Sequence, residues 1–277
     1  MKKILVPCDF SELTDNAVRF AIDIANKSGG EIILLHIIES SVKHDSKGTY
    51  SLSGDEEAYL AGARGVAEKR FGEFGKKWEK SGPTVNAEIR YGMPSMGILD
   101  FVKDNPVDLI VMGTKGFATG IKEIIVGSTT ERIIRNSLVP VMTVKKYLKN
   151  PIKNIVLANS LLEDYELLVK KVNRLRDLFD ATIHIVHITY PAKLPPDHEI
   201  RERLNAFATQ YKVKDCTISI YNDLDPESGL INFAKSVQAD MVAMVTHGRK
   251  GLSQIVNGSI AESVGHHVDC PMLTVKI

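Results

Sequence analysis

The residues best suited to chemistry lie in Met112-Gly113-Thr114-Lys115-Gly116, followed after ten residues by Gly127-Ser128-Thr129-Thr130-Glu131. A glycine-punctuated loop leaves an apolar run here, and a second glycine precedes a serine with a glutamate three positions on. Ser-x-x-Glu is a capping-box pattern, so Ser128 is expected to open a helix. The free N–H groups and positive dipole end of such a helix, facing a loop with few side chains, form an arrangement that holds phosphate. The device recurs as Gly248, nine residues, then Gly258-Ser259-Ile260-Ala261-Glu262. A single instance is a weak signal, because glycines also shape ordinary turns and serines cap ordinary helices. Recurrence at matching places strengthens it, although two copies of one ancestor are not independent witnesses. Lys115 offers an ammonium to a phosphate, while most loop lysines are simply solvated. At the other end of the chain, Asp9 follows the apolar run Ile4-Leu5-Val6-Pro7-Cys8.

Those residues need a scaffold, and the chain writes it twice. Ile4-Leu5-Val6-Pro7 reads like Ile155-Val156-Leu157-Ala158, and the run ending His36-Ile37 reads like the run ending His187-Ile188. Asp108-Leu109-Ile110-Val111-Met112 matches Asp240-Met241-Val242-Ala243-Met244, and Pro140–Val144 matches Pro271–Val275. The offset is 151 at the paired histidines and 132 at the paired aspartates, so the second copy has lost about 19 residues between its second and fourth strands. That period is too long for a solenoid and marks a duplicated domain. The boundary falls at the polar, proline-bearing link Lys149-Asn150-Pro151, with domains expected over 1–147 and 152–277.

Within each copy, short β-branched runs alternate with amphipathic segments. In the first, strands are expected at Ile4–Val6, Glu31–Ile38, Asn86–Tyr91, Leu109–Met112 and Val141–Val144. Helices are expected at Leu13–Ser28, Glu56–Ser81, Ser95–Asp104 and Ser128–Asn136. Gly62, Gly65, Gly72 and Gly75 weaken the second of these helices. Apolar strands alternating with helices imply an α/β fold with a parallel sheet covered on both faces. Such sheets bind ligands beyond the carboxyl ends of their strands, where the strand order reverses.

Composition narrows the function classes. Lys+Arg 35 against Asp+Glu 34 gives a formal charge of +1, so no global field draws the chain to nucleic acid or an anionic membrane. The apolar run after Lys2-Lys3 stops at Pro7, too short for a signal peptide, and no stretch approaches a membrane span. Cys8, Cys216 and Cys270 are odd in number and scattered, so no disulfide framework is expected and a reducing cytoplasm is the simplest home. His266-His267-Val268-Asp269-Cys270 holds metal-ligand types, but adjacent histidines diverge, and no metal site is expected. His36 and His187, ending apolar strands, read as packed, hydrogen-bonded histidines, and Cys8 as a small buried hydrophobe. No catalytic acid–base pair or Ser-His-Asp set is evident.

With its duplicated glycine device and the aspartate after the first strand, the chain resembles the universal stress protein family over nearly all its length. The resemblance implies two tandem Rossmann-like domains of the adenine nucleotide alpha hydrolase-like type. Each is then a five-stranded parallel sheet of order 3-2-1-4-5. ATP-binding members carry Gly-x2-Gly-x9-Gly-[Ser/Thr] after the fourth strand. By position, Asp9 is then expected to bind adenosine hydroxyls or ring edges, with Pro7, Cys8 and Ile37 beside the base. Gly113, Gly116, Gly127, Ser128 and Thr129, after Met112, are expected to hold the phosphates and ribose. The first copy departs by one extra residue between Gly116 and Gly127, which Gly120 can absorb. The second has the family spacing, but Val245 replaces the first glycine and Ser160 stands where Asp9 does.

The function implied is a stress-response regulatory protein binding ATP or a related adenine nucleotide, with or without Mg2+, in the first domain and none in the second. The alternatives are a slow ATPase or nucleotidyl-transfer enzyme on the same fold, or an interaction protein without ligand. A protein partner is implied but not identified. Relatives dimerise through the fifth strand, so Pro140–Val144 and Pro271–Val275 are expected to meet antiparallel within one chain as an intramolecular pseudo-dimer. Association of two chains into a homodimer is left open.

Overall fold

The computed structural model describes residues 1–40, 54–114, 128–149, 152–161, 164–191, 196–246 and 260–277. The chain divides into two compact units, Met1–Met112 and Gly113–Ile277. In the first unit the elements run β1 (Lys3–Pro7), α1 (Glu12–Ser28), β2 (Glu31–Ile38), α2 (Gly54–Lys76), β3 (Val85–Tyr91), α3 (Pro94–Asp104) and β4 (Leu109–Gly113), whose last residue falls in the second unit. Its strands lie in the order β3-β2-β1-β4, all parallel. The second unit continues with α4 (Ser128–Asn136), β5 (Val141–Val144), β6 (Asn154–Ala158), α5 (Glu166–Phe179) and β7 (Thr182–Thr189). It ends with α6 (Asp197–Gln210), β8 (Cys216–Asn222), α7 (Pro226–Ser236), β9 (Met241–Thr246), α8 (Ile260–His267) and β10 (Met272–Lys276). Its order is β5-β10-β9-β6-β7-β8, parallel except where β5 meets β10. The α/β class, the parallel pairing and the alternation expected from sequence are all present.

The first strand of each repeat is fixed at its start by the same carboxylate. Asp108 Oδ2 accepts the Lys2 and Lys3 backbone N–H groups at 2.6 and 3.2 Å, and Asp240 Oδ2 accepts those of Lys153 and Asn154 at 2.8 and 2.9 Å. One side chain thereby joins the edges of the two strands flanking the strand-order reversal. Helix α1 starts where Ser11 caps the Thr14 N–H and ends at Gly29, whose φ of 65° is the left-handed C-terminal turn. Gly30 is required for space, because a Cβ there would lie 2.5 Å from Met1 O. Its counterpart to Gly29 in the second repeat is Asp180, left-handed at φ 52°.

Helix α2 stops at Lys76 rather than reaching Ser81. Lys77 and Trp78 donate instead to the carbonyls three residues back, Phe74 and Gly75, so the last turn tightens and the chain turns off at Gly82, φ 108°. Much of the length lost by the second repeat precedes this point: the aligned pair Phe74 and Phe207, on the ends of α2 and α6, already stand at an offset of 133. Strand β5 pairs with β10 through Val141–Thr274, Met142–Leu273 and Thr143–Met272. Val141, Met142, Val144, Met272, Leu273 and Val275 are all buried there. The two threonines tie the seam: Thr274 Oγ1 donates to Val141 O at 3.2 Å and Thr143 Oγ1 to Met272 O at 3.5 Å. No helix of the described residues is long and apolar enough to cross a membrane.

Candidate functional site

Strand β1 lies between β2 and β4, the position where strand order reverses, and its carboxyl end delivers Pro7, Cys8 and Asp9. Asp9 Oδ1 accepts the Ser11 backbone N–H at 2.9 Å and the Thr14 hydroxyl at 2.7 Å, both donors on one oxygen. The Asp9 N–H donates in turn to Thr14 Oγ1 at 3.3 Å. Partial burial pushes this carboxyl upward, but the hydrogen bonds from Ser11 and Thr14 outweigh it and hold the group below the usual carboxylate range. Asp9 is therefore an anion at neutral pH, held in place by Ser11 and Thr14.

Cys8 beside it is buried, and burial pushes its thiol up to about 12. It is a packed apolar group without nucleophilic character. Its carbonyl accepts from His36 Nδ1–H at 2.7 Å, which fixes the tautomer of that histidine. Ile37 is buried against α3, where a Cβ on Gly97 would come 2.9 Å from its Cδ1. Gly229 packs on Ile188 in the same way in the second repeat. The Ile37 position is thus first a packing position. Met112 is buried near the end of β4.

In the second unit, Gly113 is followed by Thr114, whose N–H donates to Val144 O at 3.0 Å, so the chain leaves β4 beside β5. Ser128 is exposed, Thr129 half-buried and Thr130 buried at the start of α4. The helix already includes Ser128, and the Glu131 carboxylate pairs with Arg135 at 2.9 Å. Glu131 is thus engaged one turn along the helix. Lys115, Gly116, Gly120 and Gly127, with Gly248, Gly258 and Ser259 of the second copy, lie outside the described residues.

The second repeat keeps the frame and changes the chemistry. Asn159 N–H bonds Val186 O at 2.9 Å as Cys8 N–H bonds Leu35 O at 2.8 Å, and His187 Nδ1–H bonds Asn159 O at 2.7 Å. In place of Asp9 and Thr14 stand Ser160 and Tyr165. The Tyr165 hydroxyl accepts the Ser160 N–H at 2.7 Å and lies 3.1 Å from Ser160 Oγ. Tyr165 is buried, so a pair of neutral hydroxyls occupies the carboxylate's place. Val245, at the first glycine's position, is an interior strand residue paired with Val275.

Sequence reasoning singled out Asp9 but missed Ser11, Thr14 and Phe10. The Asp-x-Ser-x-x-Thr spacing signals the first two, since a Ser cap places residues of the first helical turn back at the preceding aspartate. Phe10 carries no such signal.

The model of the universal stress protein family matches residues 1–145 and 151–276. Universal stress protein MJ0531 of Methanocaldococcus jannaschii is 33% identical over 147 residues, covering 52% of this chain and 82% of its own length. Universal stress protein MJ0577 of the same organism is 33% identical over 155 residues, 52% of this chain and 95% of its own. Each of these relatives corresponds to about half of the chain. A crystal structure of a universal stress protein from Archaeoglobus fulgidus superposes with a TM-score of 0.80 over 99% of this chain and 98% of its own, at 20% identity, which speaks to the fold. Two family matches on one chain, each covering one repeat with its Asp9 or Ser160 position, lead to one statement: this chain belongs to the universal stress protein family, as a tandem of two repeats.

Proposed function

We propose that the chain is a stress-response regulatory protein that binds ATP or a related adenine nucleotide in its first repeat, taken as residues 1–147. The second repeat, 152–277, serves without a nucleotide of its own. The observation that carries the reading is Asp9, an ionised acceptor oriented by Ser11 and Thr14 at the carboxyl end of β1. Its carboxylate then accepts from the ligand's hydroxyls or ring-edge N–H groups. Pro7, Cys8 and Ile37 border the base, while Gly113, Lys115, Gly116, Gly127, Ser128 and Thr129 take the phosphates and ribose. Helix α4 suits that role because a helix start offers N–H groups without an intrahelical partner to an anion, and the carboxylate in its first turn, Glu131, is paired with Arg135. The second repeat replaces the anion with the Ser160–Tyr165 pair, which removes the acceptor. The cytoplasm is the compartment consistent with three unpaired cysteines.

The test is native mass spectrometry of the purified chain, followed by titration calorimetry with ATP. One nucleotide per chain is expected. Asp9→Ala and Gly127→Val are each expected to weaken binding by more than about tenfold, or about 1.4 kcal/mol. Unaltered affinity in both variants, or two equivalent sites per chain, contradicts the reading.

A further inference from the structure

Asp9 is followed by a residue in an unusual backbone state. Phe10 has φ 63°, a left-handed conformation that aromatic side chains rarely adopt. Asp9, Ser11 and Thr14 cannot make their mutual hydrogen bonds unless the chain turns sharply at this residue, because Oδ1 of one end accepts the N–H two positions on. What holds Phe10 there lies on α2. Its ring meets Phe71 at 4.9 Å and Phe74 at 6.0 Å between centroids, both edge-on, and His36 at 4.8 Å. The Arg70 guanidinium lies 5.7 Å from the ring centroid. Three of these four neighbours come from consecutive turns of one helix.

The second repeat repeats the arrangement with other side chains. Leu161 holds φ 66° at the matching position, and Arg203 of α6, aligned with Arg70, donates from Nη2 to the Leu161 carbonyl at 2.9 Å. In both repeats an arginine of the long helix thus reaches the left-handed residue after the first strand. Leu161 also shows that a leucine can hold this backbone state.

Helix α2 itself is weakly built. It buries only Leu60, Ala67, Phe71 and Phe74, and it carries Gly62, Gly65, Gly72 and Gly75, none needed for space because a Cβ at each meets nothing within 4 Å. A helix with few buried groups and several glycines opens at lower cost than the sheet it covers.

We infer that Phe10 is the positioning residue for Asp9, clamped by Phe71, Phe74 and Arg70, so that the order of α2 and the geometry of the Asp9 turn are coupled. When α2 is docked, Phe10 is held left-handed and Asp9 keeps its hydrogen bonds to Ser11 and Thr14. When α2 opens, Phe10 loses three partners and the turn relaxes. The coupling is reciprocal, so a ligand on Asp9 tightens α2 and any partner that grips α2 alters the affinity at Asp9. The functional meaning rests on the nucleotide reading above; the mechanical coupling does not.

The experiment is residue-resolved amide hydrogen exchange on the full chain, with and without ATP. Phe10→Leu is expected to speed exchange at the Ser11 and Thr14 amides by about tenfold. Exchange in the body of α1 should be unchanged, and Phe10→Tyr should restore the slow rate. Gly65→Ala with Gly72→Ala, which steadies α2, is expected to slow the Ser11 amide in the parent chain and not in Phe10→Leu. ATP is expected to slow exchange across 54–76 in the parent, and its dissociation constant is expected to rise about fivefold or more in Phe10→Leu. Unchanged Ser11 and Thr14 amides in Phe10→Leu, or a steadied α2 with no effect at Ser11, overturn the coupling whether or not ATP binds. Failure of the parent chain to bind ATP removes the nucleotide reading alone, because the exchange arms without ligand still decide this one.

Discussion

Asp9 and Ser160 occupy one place in two copies of a fold, and their partners separate their chemistry. Thr14, aligned with Tyr165, donates to a carboxylate, whereas the Tyr165 hydroxyl serves a neutral serine. Removing the Thr14 hydroxyl should therefore raise the Asp9 carboxyl toward its ordinary range, with the Ser11 hydrogen bonds still opposing partial burial. Thr14→Val is expected to raise the pH below which ATP binding weakens and to lower affinity at pH 7 by several-fold, measured by calorimetry across pH 4 to 8. Asp9 was legible through the family resemblance, which places an aspartate just after the first strand. The left-handed Phe10 was not, because a positive φ announces itself only at glycine, asparagine or aspartate. A second titrating residue has no part in the site. His184 on β7 lies 3.1 Å by Nε2 from Asn154 Oδ1, so Nε2 donates, and Nδ1 accepts from Thr217 Oγ1 at 2.8 Å. Burial lowers its pKa, so the folded chain holds it neutral while the unfolded chain protonates first on acidification. Stability from this group is present above about pH 6.5 and is lost as pH falls from that unfolded value toward the lower folded one. Urea unfolding at pH 7.5 and 5.5 should show a drop that shrinks in His184→Gln.

Helix α2 is the element in which local propensity and observed structure part most. Apolar periodicity located it, as it located each strand, because burial against a sheet forces a period that survives in the residue types. Its end was misjudged, since the charged stretch after Lys76 keeps helical composition while the backbone tightens into a turn whose Ser81 N–H bonds Trp78 O at 2.9 Å. The exposed glycines make α2 weaker than its packing needs. With open space at each Cβ, Gly65→Ala and Gly72→Ala are each expected to stabilise the chain by about 0.5–1 kcal/mol. Thermal and urea unfolding followed by circular dichroism checks this. Gly30→Ala should act in the opposite direction, because its methyl would collide with the Met1 carbonyl. The two glycine classes are indistinguishable in sequence; only the neighbours separate them. The loops that follow β4 and β9 are legible as glycine patterns and fall outside the described residues, so their fit to phosphate rests on resemblance and on the test above.

At the scale of the molecule, the repeats were legible from paired strands and paired aspartates, and the β5–β10 pairing from the family resemblance applied to two apolar fifth strands that need cover. The boundary of the two compact units after Met112 had no sequence sign. Leu273, fully buried opposite Met142, is expected to cost about 2–5 kcal/mol as Leu273→Ala, read as a lower urea midpoint. The fragment 1–147, which leaves β5 without β10, is expected to self-associate through that strand, as size exclusion with light scattering would show. Because β5 and β10 belong to one polypeptide, their meeting obeys a fixed effective concentration and not mass action between molecules, and the full chain should keep this seam on dilution. A protein that builds such a seam from two identical subunits suffers every mutation twice, once on each side. Here the sides are Val141-Met142-Thr143 and Met272-Leu273-Thr274, encoded separately. Separate encoding is what lets one repeat hold Ser160 and Tyr165 where the other holds Asp9 and Thr14.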